Sequence, residues 1–326
     1  MTLVVALGLA APAFTIAACG ARSELLVPEY VTVEPDGAIV PVADANVPEE
    51  GEDASEDVVD DLPQIDTNAP DVYNPVCADA SDTLIYVVTT SSRLLRFDPQ
   101  SATFTTIGFL DCPAPANSAP FSMAVDRTGV AYVLYFDGSD PGSIFRVSLA
   151  DASCTPSTYV PGQGGFASFG MAFTADTTDT NETLYVASDD TASGELGAID
   201  EKTLTLTPVG SFSPPAPASE LTGTADGRLF GFFAPGGDVA GTVGMTVAQI
   251  DKTNATLTAQ NFLPTVTQGN AWAFAFWGGN FYLFTAPDDL SSVVTRYNPN
   301  DGSLTNIATW PERIDGAGVS TCAPAR

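Results

Sequence analysis

Histidine is absent from the 326 residues, which removes a whole branch of chemistry. No Ser-His-Asp or Cys-His nucleophile can be assembled, no imidazole can ligate a metal, and none can shuttle protons near neutral pH. Carboxylates, tyrosines and lysines remain as acid and base. Three carboxylates invite attention because of where their segments lie: Glu220 in "SPPAPASE", and Glu312 and Asp315 in "TWPERIDG". A pair of such groups flanking a sugar is the minimum needed for glycoside hydrolysis. A second group is aromatic and amide-bearing: Gln268, Asn270 and Trp272 in "TVTQGNAW", with Trp310 in "TWPERIDG". Indole faces stack on sugars and peptides while amides hydrogen-bond them. The plainer reading of the tryptophans is packing between structural units, and that of the acids is solvation.

A third group is acidic and scattered: Asp137, Asp140, Asp189, Asp190, Glu195, Asp238, Asp288 and Asp289. A calcium site needs several such oxygens converging, and no D-x-D-x-D-G spacing is present. Solvated loop acids are therefore expected, with neither metal nor cofactor. The overall charge of -29 disfavours nucleic acid, which requires a positive footprint.

The elements that must position these residues recur along the chain. Aromatic and β-branched runs begin at residues 84 ("LIYVVTT"), 130 ("VAYVLYF"), 183 ("TLYVASD"), 228 ("RLFGFFA") and 281 ("FYLFTAP"), a spacing of 45 to 53 residues. A turn and a short strand precede each run from the second onward, as in "FSMAVDRTG". A strand ending in a turn follows each run, as in "LLRFDPQSA" and "LGAIDEKT", and a Thr-rich strand closes the unit, as in "LTLTPVG". The Asp or Asn of "FDP", "AID", "QID" and "YNP" suits a turn, because its side chain can bond backbone two residues on.

Four short antiparallel strands repeated at this period predict a β-propeller. The first unit lacks its innermost strand, and "GAGVSTCAP" near the C-terminus matches that position. The fold class expected is therefore all-β, a five-bladed β-propeller over residues 77–326 closed by the C-terminal strand. The loops entering the innermost strands hold Gln268, Asn270, Trp272, Trp310, Glu220 and Asp315, which makes that end the candidate binding face.

Five cysteines are present. Cys77 and Cys322 fall at matching positions in the two halves of the shared blade, and bridging them would lock the ring. Cys112 and Cys154 follow or occupy outer strands of neighbouring blades and are expected to pair. Four cysteines allow three pairings, and position selects this one.

The fifth, Cys19, ends the uncharged run "LVVALGLAAPAFTIAA" of residues 3–18, too short for a span of about 20 residues. Residues 1–18 read as a secretory signal. Ile16-Ala17-Ala18-Cys19 resembles the bacterial lipobox, which implies that Cys19 is acylated, with ordinary cleavage near Ala18 as the alternative. Gly20 after the cysteine is similar to lipoproteins sent on to the outer membrane. Residues 20–76 carry 15 acidic residues, one basic residue (Arg22) and scattered prolines, so an extended, disordered stalk is expected.

The chain as a whole, with its "ACG-R" lipobox end, acidic stalk and terminal "GAGVSTCAP", resembles predicted lipoproteins of myxobacterial type. The resemblance implies fold and envelope location and carries no activity. The functional expectation is a monomeric binding scaffold, held on the membrane by a lipid anchor, for a protein or glycan ligand. The alternatives are a carbohydrate-active enzyme using carboxylates alone, or an outer-membrane assembly factor.

Overall fold

Each aromatic run forms the second strand of a four-stranded antiparallel sheet, and the chain builds five such sheets. The computed structural model describes residues 32–33, 39–40, 65, 83–176, 181–189, 193–234 and 243–326. The signal segment, Cys19, Cys77 and most of the expected stalk lie outside the described residues. The chain divides into two units, Met1–Val59 and Asp60–Arg326. Within the first, β1 (Thr32–Val33) pairs antiparallel with β2 (Ile39–Val40).

The second unit is the propeller. Blade 1 contains β3 (Ile85–Thr89), β4 (Arg93–Asp98) and β5 (Thr103–Phe109). Blade 2 is β6 (Ala119–Val125), β7 (Val130–Phe136), β8 (Ser143–Ser148) and β9 (Cys154–Pro156). Blade 3 is β10 (Phe169–Ala175), β11 (Glu182–Ser188), β12 (Glu195–Ile199) and β13 (Leu206–Ser211). Blade 4 is β14 (Ser219–Gly223), β15 (Leu229–Phe233), β16 (Val243–Ile250) and β17 (Leu257–Thr267). Blade 5 is β18 (Trp272–Trp277), β19 (Asn280–Thr285), β20 (Ser292–Asn298) and β21 (Ser303–Trp310). The last strand, β22 (Ile314–Val319), pairs antiparallel with β3 and supplies the innermost strand of blade 1. The C-terminal closure expected from "GAGVSTCAP" is what the structure has.

Alternation within each strand explains why five sheets make one ring. In blade 1, Ile85, Val87, Leu95 and Phe97 face blade 5, where they meet Ala273, Tyr282, Phe284 and Val294. Val88 and Leu94 point the other way and meet Met123, Val125 and Val133 of blade 2. Because successive side chains of a strand take opposite faces, each blade is apolar on both and is sandwiched by its neighbours. Further clusters fill the 2–3, 3–4 and 4–5 junctions.

Innermost strands of adjacent blades touch all round the ring. Their closeness requires glycine at Gly170 of β10, where a Cβ would overlap the Ser219 carbonyl oxygen and lie 2.8 Å from Cα of Glu220. Gly223 of β14 returns the contact, since a Cβ there would overlap the Phe173 carbonyl oxygen.

The Asp and Asn residues assigned to third-to-fourth-strand turns act as expected. Asp98 Oδ1 accepts the Gln100 N–H at 2.8 Å, Asp200 Oδ1 that of Thr203 at 2.8 Å, and Asn298 Oδ1 that of Asn300 at 3.0 Å. Cys112 and Cys154 form a disulfide with Cα atoms 5.0 Å apart, linking blades 1 and 2. Cys322 is disulfide-bonded, and Cys77, its expected partner, lies outside the described residues.

Beyond β22 the chain stays attached. Thr321 Oγ1 donates to Glu182 Oε2 at 2.8 Å, the Arg127 backbone N–H donates to Oε1 at 2.7 Å, and Ala325 is buried at the blade 4–5 junction. Ile65 is buried in that same cluster, only 2% exposed, beside residues of blades 4 and 5. Ile65, inside the segment expected as stalk, thus packs with the blades, while the expected boundary at residue 77 lies outside the described residues. A single isoleucine in "LPQIDT" carries no strand period, so nothing in the sequence marked it.

Candidate functional site at the axial mouth

Four innermost strands begin at one end of the ring, and their first residues converge on a cavity of about 90 Å³. It is lined by Pro120 and Phe121 of β6, Glu220 of β14, Asp315 of β22, and Asn270, Ala271 and Trp272 at the entry to β18. Four of the six residues expected on the binding face are thus brought together: Glu220, Asn270, Trp272 and Asp315. Asn270 is held by its backbone N–H, which donates to Asp289 Oδ1 at 3.0 Å.

Gln268 and Trp310 are placed elsewhere. Gln268 is 3% exposed and outside the cavity lining. Trp310 ends an outer strand rather than opening an inner one, and its ring packs on Phe104 at 5.2 Å. Packing within the ring, the plainer reading of the tryptophans, applies to both: Trp310 packs on Phe104 and Trp272 against the blade 4–5 junction, while Trp272 also lines the cavity. Glu312 is also remote from the cavity, in an ion pair with Arg93 at 3.2 Å and accepting from Ser91 at 3.0 Å. Partial burial raises its affinity for protons, but the hydrogen bonds from Arg93 and Ser91 oppose it, and the carboxyl is held below the ordinary range.

The two carboxyls at the cavity behave differently from that. Glu220 is 4% exposed, and burial holds it well above the ordinary carboxylate range, with the nearby charges of Asp189 and Asp315 adding to the shift. The Ser122 hydroxyl, donating to Glu220 Oε2 at 2.9 Å, opposes that rise. Asp315 is pushed up to about 6 by burial, against a hydrogen bond from Thr90 and the charge of Arg313. Among the described residues its Oδ2 is buried without a hydrogen-bond partner, and so is Nε1 of Trp272. Buried polar atoms left unpaired are expensive, so both mark a part of the fold that is not fully satisfied.

No protein-family model and no curated protein matches the chain. Solved structures do. A chain of a nidogen/laminin complex is 14% identical with a TM-score of 0.46, over 74% of this chain and 99% of that one. A GH43_1 enzyme from Xanthomonas citri, complexed with xylose, is 12% identical with a TM-score of 0.45, over 59% of this chain and 74% of that one. TolB from Acinetobacter baumannii is 16% identical with a TM-score of 0.40, over 72% and 54% respectively. These likenesses concern the fold and bring no residue role to this chain.

Ser122 was missed by sequence reasoning, yet a signal for it exists. It stands seven residues before the turn glycine Gly129 (129 − 122), and Glu220 stands seven before Gly227 (227 − 220). Both glycines have left-handed φ, 83° and 81°. The two residues are therefore the same position of their units, and they meet across the axis. Gly170, also on an innermost strand, lies between them, and its lack of a side chain leaves them the room. The next residue, Met171, donates its N–H to Ser122 Oγ at 3.1 Å.

Two of the scattered acids are turn caps. Asp137 Oδ1 accepts the N–H groups of Ser139 and Asp140, both at 2.9 Å, and Asp288 Oδ1 those of Leu290 and Ser291 at 3.0 and 2.9 Å. These bonds hold both carboxyls below their ordinary range. Asp190 and Asp238 lie outside the described residues.

Proposed function

We propose that the propeller is a binding module whose axial mouth grips one end of a larger ligand, a protein or a glycan. One observation carries this reading: Glu220, Asn270, Trp272 and Asp315, drawn from three blades, line a single cavity with unpaired polar atoms on two of them. The size of the cavity favours grip over enclosure. Pockets that engulf small molecules run to about 300–1,000 Å³, several times the 90 Å³ found here.

The same magnitude weighs against the second reading, carboxylate-only glycoside hydrolysis. That reading is favoured by two carboxyls of raised pKa at one cavity, the pattern of an acid and base pair. A hydrolase, however, must seat a sugar ring between its carboxyls, with a water for the inverting route. A cavity of about 90 Å³ is small for that task.

The module acts, in this proposal, as a monomer at the cell envelope, acylated at Cys19 and held on the acidic segment that follows it. The lipobox-like "IAAC" and the charge density of residues 20–76 support that placement. Probing the full chain on glycan and peptide arrays tests the binding function. The expected result is a restricted set of ligands whose signal is lost on Asp315→Asn. Signal that is absent, or indifferent to that substitution, overturns the axial site.

A further inference from the structure

The axial cavity is one-sided in its chemistry. Two carboxyls line it, and none of its lining residues is a lysine or arginine. Among the described residues Oδ2 of Asp315 has no hydrogen-bond partner, and Ser122 donates to Oε2 of Glu220. Both residues bring a carboxyl to the wall of the cavity, and no cation stands beside them there. The remaining walls are apolar rings, Pro120, Phe121 and Trp272, with the amide of Asn270 beside them.

We propose that this cavity takes a primary alkylammonium, the tip of a lysine side chain presented by a protein partner. The inference rests on the reading of the axial mouth as a ligand site and deepens it. An ammonium has three N–H donors and no acceptor, which matches two carboxylate oxygens and an amide oxygen. Its methylene stem lies against the ring faces, where a cation is attracted as well as packed.

Size selects among cationic ligands. A cavity of about 90 Å³ is small against the roughly 300–1,000 Å³ of pockets that enclose whole small molecules, which suits the slender tip of a chain better than a sugar ring. The net charge of -29 draws a basic partner toward the protein before contact.

Binding of a cation must be coupled to proton release. The groups facing Glu220 are Asp189, Asp315 and the Ser122 hydroxyl, and those facing Asp315 are Thr90 and Arg313. Arg313 is the one positive charge among them and donates from Nε to Thr90 Oγ1 at 3.4 Å. A bound ammonium stabilises both carboxylates, so protons leave as it enters, and acid competes with it.

The test is calorimetric titration of the full chain with Nα-acetyl-lysine methylamide, its norleucine counterpart and glucosamine, at about pH 7.5 and about pH 5. The lysine compound is expected to bind at least about tenfold more tightly than the norleucine one, and to weaken at least about fivefold at the lower pH. Asp315→Asn and Glu220→Gln should each lose about tenfold, with a thermal transition in each variant verifying that it folds. Equal binding of the norleucine compound, or tighter binding of glucosamine, overturns the ammonium assignment. If the lysine compound fails while array ligands still bind in an Asp315-dependent manner, the axial site stands and this inference falls. If nothing binds, both fall.

Discussion

Asp315 stores a pH dependence that can be read as stability. Its carboxyl titrates near 6 in the folded chain against 3.8 in an unperturbed one, so the folded state holds its proton more tightly than the unfolded state does. The stability this lends is fully present below the unfolded value and is lost as pH rises through the folded one, between about pH 4 and 6. Glu220 is shifted in the same direction. Asp315→Asn should therefore flatten stability across that window and leave the variant on the order of 2 kcal/mol more stable than the parent at neutral pH, relative to their difference at about pH 4. Urea unfolding at the two pH values measures it, and an equal difference at both would contradict the burial of Asp315. The same residue shows how far the site was legible. Proximity to strand entries was readable, and Glu220, Asn270, Trp272 and Asp315, grouped on that ground, line one cavity. Which side of its strand each residue faces was not. Glu312, three positions before Asp315, turns to Arg93, and Trp310 belongs to an outer strand where Trp272 opens an inner one. Phe121 and Ser122 read as residues of a short strand and gave no sign that the first lines the cavity and the second bonds Glu220.

The elements around the axis are held by close backbone approach. Gly170 of β10 sits where a Cβ would overlap β14 backbone, and backbone cannot yield as a side-chain tip can. Gly170→Ala should lower stability by roughly 3 kcal/mol and, by parting β10 from β14, disturb the Ser122–Glu220 hydrogen bond as well. A variant as stable as the parent would mean that the innermost strands are farther apart than described. The Cys112–Cys154 bridge spans 42 residues, which the chain-entropy account converts to about 4 kcal/mol. The joined blades already share an apolar junction, whereas β22 is rich in glycine and reaches its blade only at the end of the chain. Cys322→Ser should therefore lower the melting temperature more than Cys112→Ser does. Peptide mapping without reduction should recover Cys322 linked to Cys77, and a Cys77–Cys112 peptide would contradict the blade assignment. Blade number and the closing strand were legible because a repeat near 50 residues, a turn Asp in most units and a displaced "GAGVST" all point to one architecture.

At the scale of the whole molecule, five junctions of alternating apolar residues close the ring, and no single one is its core. That is why composition and period identified the fold while the inward reach of Ile65 escaped notice: a lone apolar residue in an acidic segment has no partner in the sequence itself. Cys19→Ser should release the protein from membranes and abolish acyl labelling, and a variant that still partitions with detergent-extracted membrane would exclude the anchor. The axial mouth is the place where the four leading strands bring donors, acceptors and rings together, and it can be separated experimentally from the rest of the ring by two of the three tryptophans. Trp272 lines the cavity, and Trp310 packs on Phe104 away from it. The most direct measurement is the binding isotherm of the strongest array ligand to the parent, Trp272→Ala and Trp310→Phe chains, each checked for its melting temperature. The axial account predicts at least about tenfold weaker binding for Trp272→Ala with Trp310→Phe within about twofold of the parent. Unchanged affinity in Trp272→Ala, or loss confined to Trp310→Phe, would contradict it.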